Sequence, residues 1–238
     1  MKKVIATILS FALVVSFTMP AFATHVQEND DGQKITETEE YRVVTTSDEK
    51  YMYSTTYFFE SGRFNFMKTD RDTGKTVFTY ASTSVNNSRA TTTEETFTGY
   101  AYYITETSGG TEYKLNMPAA EYNANARDLL VDTVYFKAYY TSENRSLLSE
   151  FRSAVDALDD LEKAFIVASG AAIGKDVMNL FAWATATGPI TSALISSLLG
   201  ALGLTAAQYA AAEALATGTN RCYYAWKDAF AECKGIFY

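Results

Sequence analysis

Between Val177 and Ala212 the chain carries no charged residue and no histidine. Its centre reads GPITSALISSLLGALGLTAAQYAAA, Gly188 to Ala212. A run this long without charge is shielded from water either in a protein core or in a bilayer. Pro189 suits the first position of a helix, where its missing N–H costs nothing. On a helical wheel from Pro189 to Ala212, Ile190, Leu194, Ile195, Leu198, Leu199 and Leu202 fall in one half. Ser192, Ser196, Gly200, Gly203 and Ala207 fall in the other. The aliphatic half is a candidate membrane-active face. Ser196, Gly200 and Gly203 form a candidate packing face, because small residues let another helix backbone approach closely.

Energetics keep both environments open. A helix over Pro189–Ala212 is about 36 Å long, enough to cross the hydrocarbon core. Each Leu or Ile contributes about −0.5 kcal/mol to insertion, and the Ser, Thr, Gln, Gly and Pro residues offset much of the sum. The preceding limb, Val177–Thr187, reaches only about 16 Å. Lengthening it backward would place Lys175 and Asp176 in hydrocarbon, at about 2.5–3.5 kcal/mol each. A permanent two-helix membrane hairpin is therefore disfavoured. A hairpin buried in a soluble bundle, and able to open onto a bilayer, fits the pattern.

The rest of the chain changes character near residue 145. From Ile35 to Met117 it is rich in Thr, Tyr, Phe and Val, residues that suit a pleated, half-buried surface. Turn signals at Ser47–Lys50, Asp70–Gly74 and Ser108–Gly110 separate the strand-like runs. These runs predict an antiparallel sheet of about six strands, with Leu129–Tyr140 as a further strand. From Ser146 the period becomes helical: Leu147, Leu148, Phe151, Val155, Leu158, Leu161 and Phe165 recur every three or four residues. Glu150, Asp156, Asp159, Asp160 and Glu162 are read as the solvated face of that helix. Further helices are expected over Ala164–Thr187, from Pro189 to about Ala216, and from Arg221 to about Lys234.

The expected fold is thus α+β: an N-terminal antiparallel β-rich half, then a C-terminal bundle of about four helices with a central apolar hairpin. The expected domains are a Thr/Tyr-rich β domain over 24–145 and a helical domain over 146–238, with the hairpin over 164–216. Residues 1–23 read as a secretory signal peptide, with a basic start, an apolar stretch and an Ala-x-Ala end. The product is expected to be secreted and released.

Charge and composition exclude several functions. Without Lys2 and Lys3, 18 of the 20 basic residues remain against 28 acidic ones, a formal charge of −10. An acidic chain without clusters of basic residues is a poor neutraliser of phosphates, so nucleic acid is not an expected partner. His25 is the single histidine and lies in the polar N-terminal stretch. A Ser–His or Cys–His nucleophile system therefore lacks a base. No phosphate-binding or dinucleotide-binding glycine motif is present. We expect no enzyme activity, no cofactor and no metal. Cys222 and Cys233 are the only cysteines. The oxidising compartment favours a disulfide between them, whereas a continuous helix through CYYAWKDAFAEC would hold them about 16 Å apart. A bridge, with the segment bending back on itself, is the expectation.

The leader MKKVIATILSFALVVSFTMPAFA, the Thr/Tyr-rich half, FAWATATGPITSALISSLLGALG and the CYYAWKDAFAEC tail resemble, as a layout, large secreted geobacillin-like bacteriocins of Gram-positive spore-formers. The resemblance implies an antibacterial protein whose partner is the membrane or envelope of a target bacterium, with a surface receptor as a further partner. The apolar helical hairpin is similar in kind to those of pore-forming colicins, which implies permeabilisation. A second reading is a non-catalytic cell-surface or matrix binding module. Its Tyr-rich sheet, including Tyr51, Tyr53, Tyr57, Tyr100, Tyr102, Tyr103 and Tyr113, would supply an aromatic contact face.

Overall fold

A computed structural model describes residues 25–28, 32–82, 96–123, 128–233 and 236–237. The expected leader and the polar stretch Asn86–Glu95 lie outside these residues. The architecture is α+β, with antiparallel strands preceding four helices. Strands β1 (His25–Glu28), β2 (Lys34–Glu37), β3 (Tyr41–Ser47), β4 (Tyr51–Phe58), β5 (Arg63–Asp70) and β6 (Thr76–Ala81) form one sheet in sequential order. Strands β7 (Ala101–Thr107), β8 (Gly110–Asn123), β9 (Asp128–Tyr139) and β10 (Ile236–Phe237) form a second, in the order β10-β9-β8-β7. The six strands anticipated as one sheet are therefore divided between two. The N-terminal polar stretch also supplies a strand, because His25–Glu28 pairs antiparallel with β2.

The turn signals act through side chains. Asp48 Oδ1 accepts from the backbone of Lys50 and Tyr51 at 2.9 and 2.7 Å, closing the β3–β4 turn. Asp70 Oδ1 accepts from the backbone of Asp72 and Thr73 in the β5–β6 turn. Short polar side chains that bond their own backbone in this way stabilise tight turns.

The helices are α1 (Arg145–Ser169), α2 (Ala171–Ala186), α3 (Ser192–Leu202) and α4 (Ala206–Cys233). The chain forms two compact units. One takes the chain up to Ser84 together with Thr191–Leu204, and the other takes Val85–Ile190 and Thr205 onward. The expected division at residue 145 and the expected hairpin over 164–216 are corrected by this arrangement. Helix α3 belongs with the six-stranded sheet, whereas α2 and α4 belong with the other unit. The reason is local. Gly188 has φ 137 and Gly203 is left-handed at φ 62, so the chain turns sharply on both sides of α3. The expected helix from Pro189 to about Ala216 is broken at Gly203. A capping box follows: Thr205 N donates to Gln208 Oε1 at 2.9 Å and Gln208 N to Thr205 Oγ1 at 3.4 Å.

In the second unit α1 and α4 pack antiparallel. Gln208 Nε2 donates to Ala168 O near one end, and Arg221 pairs with Glu150 towards the other. A Cβ at Gly218 would sit 2.6 Å from Leu161 Cδ1, so the Leu161 side chain packs over the glycine where the helices meet. Thr217–Asn220, expected to end a helix, runs through the middle of α4. Trp226 of α4 donates its indole N–H to Leu115 O and meets Phe136 edge-on, seating α4 on the second sheet.

Candidate functional site

Helix α3 is built at both ends by its own sequence. Thr191 caps its first turn, with Oγ1 accepting from Leu194 N at 3.2 Å. Gly203 ends it in the left-handed conformation that favours glycine. Between them Leu194, Ile195, Leu198, Leu199 and Ala201 are buried, and Leu202 is half-buried. Ile190, expected on the same face, precedes the helix and belongs to the other unit. There Asn220 holds it, accepting from Ile190 N at 2.7 Å and donating to Ile190 O at 2.8 Å.

The small residues face strands. Gln33 Nε2 donates to Ser196 O at 3.0 Å, and Thr46 Oγ1 donates to Ala193 O at 2.5 Å. Ser197 Oγ donates to Val44 O at 3.1 Å and lies 2.8 Å from Thr55 Oγ1. A Cβ at Gly200 would lie 2.7 Å from Gln33 Nε2 and 3.4 Å from Val44 Cγ1. One at Gly203 would lie 2.6 Å from Arg42 Nη1. Ser196, Gly200 and Gly203 therefore meet β3 and the residue just before β2, rather than a second helix. Every hydrogen bond named in this seat is between neutral groups. Among the described residues no helix is long and apolar enough to cross a membrane; α3 itself is about 16 Å long.

Of the tyrosines in the expected contact face, Tyr51, Tyr57, Tyr102, Tyr103 and Tyr113 are half-buried. Tyr53 and Tyr100 are fully buried. Tyr53 OH donates to Asp48 Oδ2 at 2.7 Å, and burial raises its pKa. Tyr102 OH donates to Asp156 Oδ1 at 2.9 Å. Tyr51 holds the buried Lys68 ammonium 4.1 Å from its ring centroid, and burial lowers the pKa of that lysine. Tyr103 lies under Lys114, Tyr113 stacks on Tyr140, and Tyr57 meets Phe59 edge-on.

Glu162, expected on a solvated face, is completely buried in the second unit. Its Oε2 accepts from Phe97 N at 2.6 Å, and its Oε1 accepts from Thr98 N and Thr98 Oγ1 at 2.9 and 2.7 Å. Burial pushes its pKa up to about 7, against the pull of those three donors. The expected disulfide is overturned: α4 is continuous from Ala206 to Cys233, and both cysteines are free thiols. Cys222 is buried and Cys233 half-buried. Burial raises the pKa of both thiols. Among the described residues no group of three or more His, Cys, Asp or Glu is placed to hold a metal ion. No protein-family model matches the chain, and no curated protein or solved structure is found to be similar to it.

Proposed function

We propose that the chain is a secreted, non-catalytic antibacterial protein that permeabilises the membrane of target bacteria, with α3 as the element that leaves its seat. The observation carrying this reading is the α3 seat itself. A helix with no charged residue rests on strands β3 and β4 through a few neutral hydrogen bonds, between glycines that let the chain turn. Moving it into lipid desolvates no charge, and its buried aliphatic side chains exchange one apolar environment for another. The seat gives up hydrogen bonds worth about 1 kcal/mol each. At about 16 Å, α3 reaches only half-way through a hydrocarbon core of about 30 Å. Shallow insertion from one leaflet, rather than a fixed span, is the mode this length allows.

A reversible clamp tests the reading. Val44→Cys with Gly200→Cys, in a chain also carrying Cys222→Ala and Cys233→Ala, places two thiols across the seat. Wild-type protein is expected to release dye from loaded vesicles and to kill sensitive cells. The oxidised clamp should lower release at least tenfold, and a reductant should restore it. Intact vesicles and cells with wild-type protein, or equal release from the oxidised clamp, refute the proposal.

A further inference from the structure

An edge strand presents a row of backbone groups that no neighbouring strand satisfies, and proteins usually blunt such edges. Among the described residues the two sheets end at β1, β6, β7 and β10. Three of these ends are blunted. Strand β1 has four residues and β10 two. Strand β6 is bulged: Thr76 and Phe78 pair with Thr69 and Lys68, which leaves Val77 as an extra residue. Strand β7 has none of these devices. It runs seven residues in unbroken register with β8 and holds no proline, glycine or lysine. Ile104 is 41% exposed, and Thr105 and Glu106 are exposed beside it. The direction of the free backbone groups follows from the hairpin. Thr111 O accepts from Tyr140 N, just beyond β9. Its neighbours Gly110 and Glu112 therefore face β7, as their partners Thr107 and Thr105 face β8. By the same alternation, Tyr102, Ile104 and Glu106 turn their N–H and C=O groups outward.

We propose that the chain dimerises through β7, which pairs antiparallel with β7 of a second copy about a two-fold axis at Ile104. The register is self-complementary, as a two-fold interface requires. Ile104 opposes Ile104 of the second copy, and Tyr102 opposes Glu106 in both directions. These three pairs exchange about six main-chain hydrogen bonds. Directly opposed side chains share a face, so the two exposed isoleucines cover each other. Glu106 of one copy comes beside Tyr102 of the other, where Arg152 of α1 lies 5.6 Å from the ring centroid. Arg152 Nε is 3.9 Å from Asp156 Oδ2, and the guanidinium fork has further donors for a second carboxylate. Sliding the second copy two residues either way keeps only two of the three pairs and takes Glu106 away from Tyr102. Any extended segment could bond the free backbone groups. The side chains select this one: an isoleucine for Ile104 and an acid for Tyr102 with Arg152, both supplied by β7 itself. The dimer does not rest on the permeabilising role of α3.

Sedimentation equilibrium of the full mature chain, from micromolar to hundreds of micromolar, tests the assignment. The mass is expected to reach twice that of the chain at the upper end. Ile104→Lys sets two like charges against each other at the axis and should give the monomer mass throughout. Position 104 is exposed, so this variant should keep the wild-type circular dichroism spectrum. Cross-linking reads the register. Opposed Cα atoms at the axis lie about 5.5 Å apart, within reach of a disulfide. Ile104→Cys, in a chain also carrying Cys222→Ala and Cys233→Ala, should therefore link two copies under mild oxidation. Glu106→Cys in the same background lies about 13 Å from its counterpart and should stay unlinked. A monomer mass at every concentration overturns the proposal. So does a dimer that Ile104→Lys leaves intact, or linking at position 106 as fast as at 104.

Discussion

Helices α1 and α3 both bring polar atoms into a core, and they satisfy them by different chemistry. At α3 the partners are hydroxyls, a carboxamide and backbone carbonyls, so the seat is indifferent to pH in the physiological range. At α1 the buried group is the Glu162 carboxyl, held by the backbone of Phe97 and Thr98. A neutral seat carries neither a charge nor a titrating proton. A carboxyl seat is tied to its donors and to its own proton.

The largest effect that separates the two belongs to Glu162. Its pKa rises from 4.5 to about 7 on folding, so the folded chain holds the proton more tightly than the unfolded one. That contribution is fully present below pH 4.5 and is lost as the pH rises through 7. It amounts to about 3 kcal/mol across the window. Urea unfolding at pH 4.5 and pH 7.5 should show the decline in wild-type protein, and Glu162→Gln should remove most of it. Asp48 and Asp70, whose pKa values are lowered by hydrogen bonds, act the other way and below pH 4. They do not mask the effect. Equal wild-type stability at the two pH values would mean that the three donors keep Glu162 ionised throughout.

Ser197→Ala probes the neutral seat and should cost less. Removing the hydroxyl leaves Val44 O and Thr55 Oγ1 without that partner at a buried site, worth about 1–3 kcal/mol. The loss should be the same at pH 4.5 and pH 7.5, and amide hydrogen exchange in α3 should quicken. A pH-dependent loss would break the contrast between the two helices.

Both seats left marks in the sequence, of unequal clarity. Leu148, Phe151, Val155, Leu158, Glu162, Phe165 and Ser169 are all buried and alternate in steps of three and four. That spacing places Glu162 in the apolar seam, although its charge suggests the solvated face. The end of α3 was legible too: Gly203 followed by Thr205-x-x-Gln208 is a helix stop and a capping box, obscured by the unbroken apolar composition. The continuous helix through Cys222 and Cys233 follows from the same local periodicity, which outweighs the redox argument for a bridge. What local sequence does not carry is the partner of α3. Its Ser and Gly residues announce a close approach but not whether a helix or a strand makes it. That depends on strands more than a hundred residues earlier in the chain.

The two glycines of α3 give the finest test of that seat. Gly203→Ala forces a Cβ onto a left-handed residue at φ 62 and towards Arg42 Nη1, so it should destabilise by about 1–2 kcal/mol. Gly200 is different, because it lies inside the helix and its nearest neighbour is the far end of the flexible Gln33 side chain. Alanine there displaces the Gln33 carboxamide from Ser196 O, losing about 1 kcal/mol. It also gains about 0.5–1 kcal/mol of helix propensity. The two nearly cancel, so Gly200→Ala should change stability by less than about 0.5 kcal/mol. Thermal melts of the two variants should rank Gly203→Ala well below Gly200→Ala. A large loss at Gly200 would show instead that Val44, 3.4 Å from the added Cβ, cannot yield and that the seat is set by tight packing rather than by its hydrogen bonds.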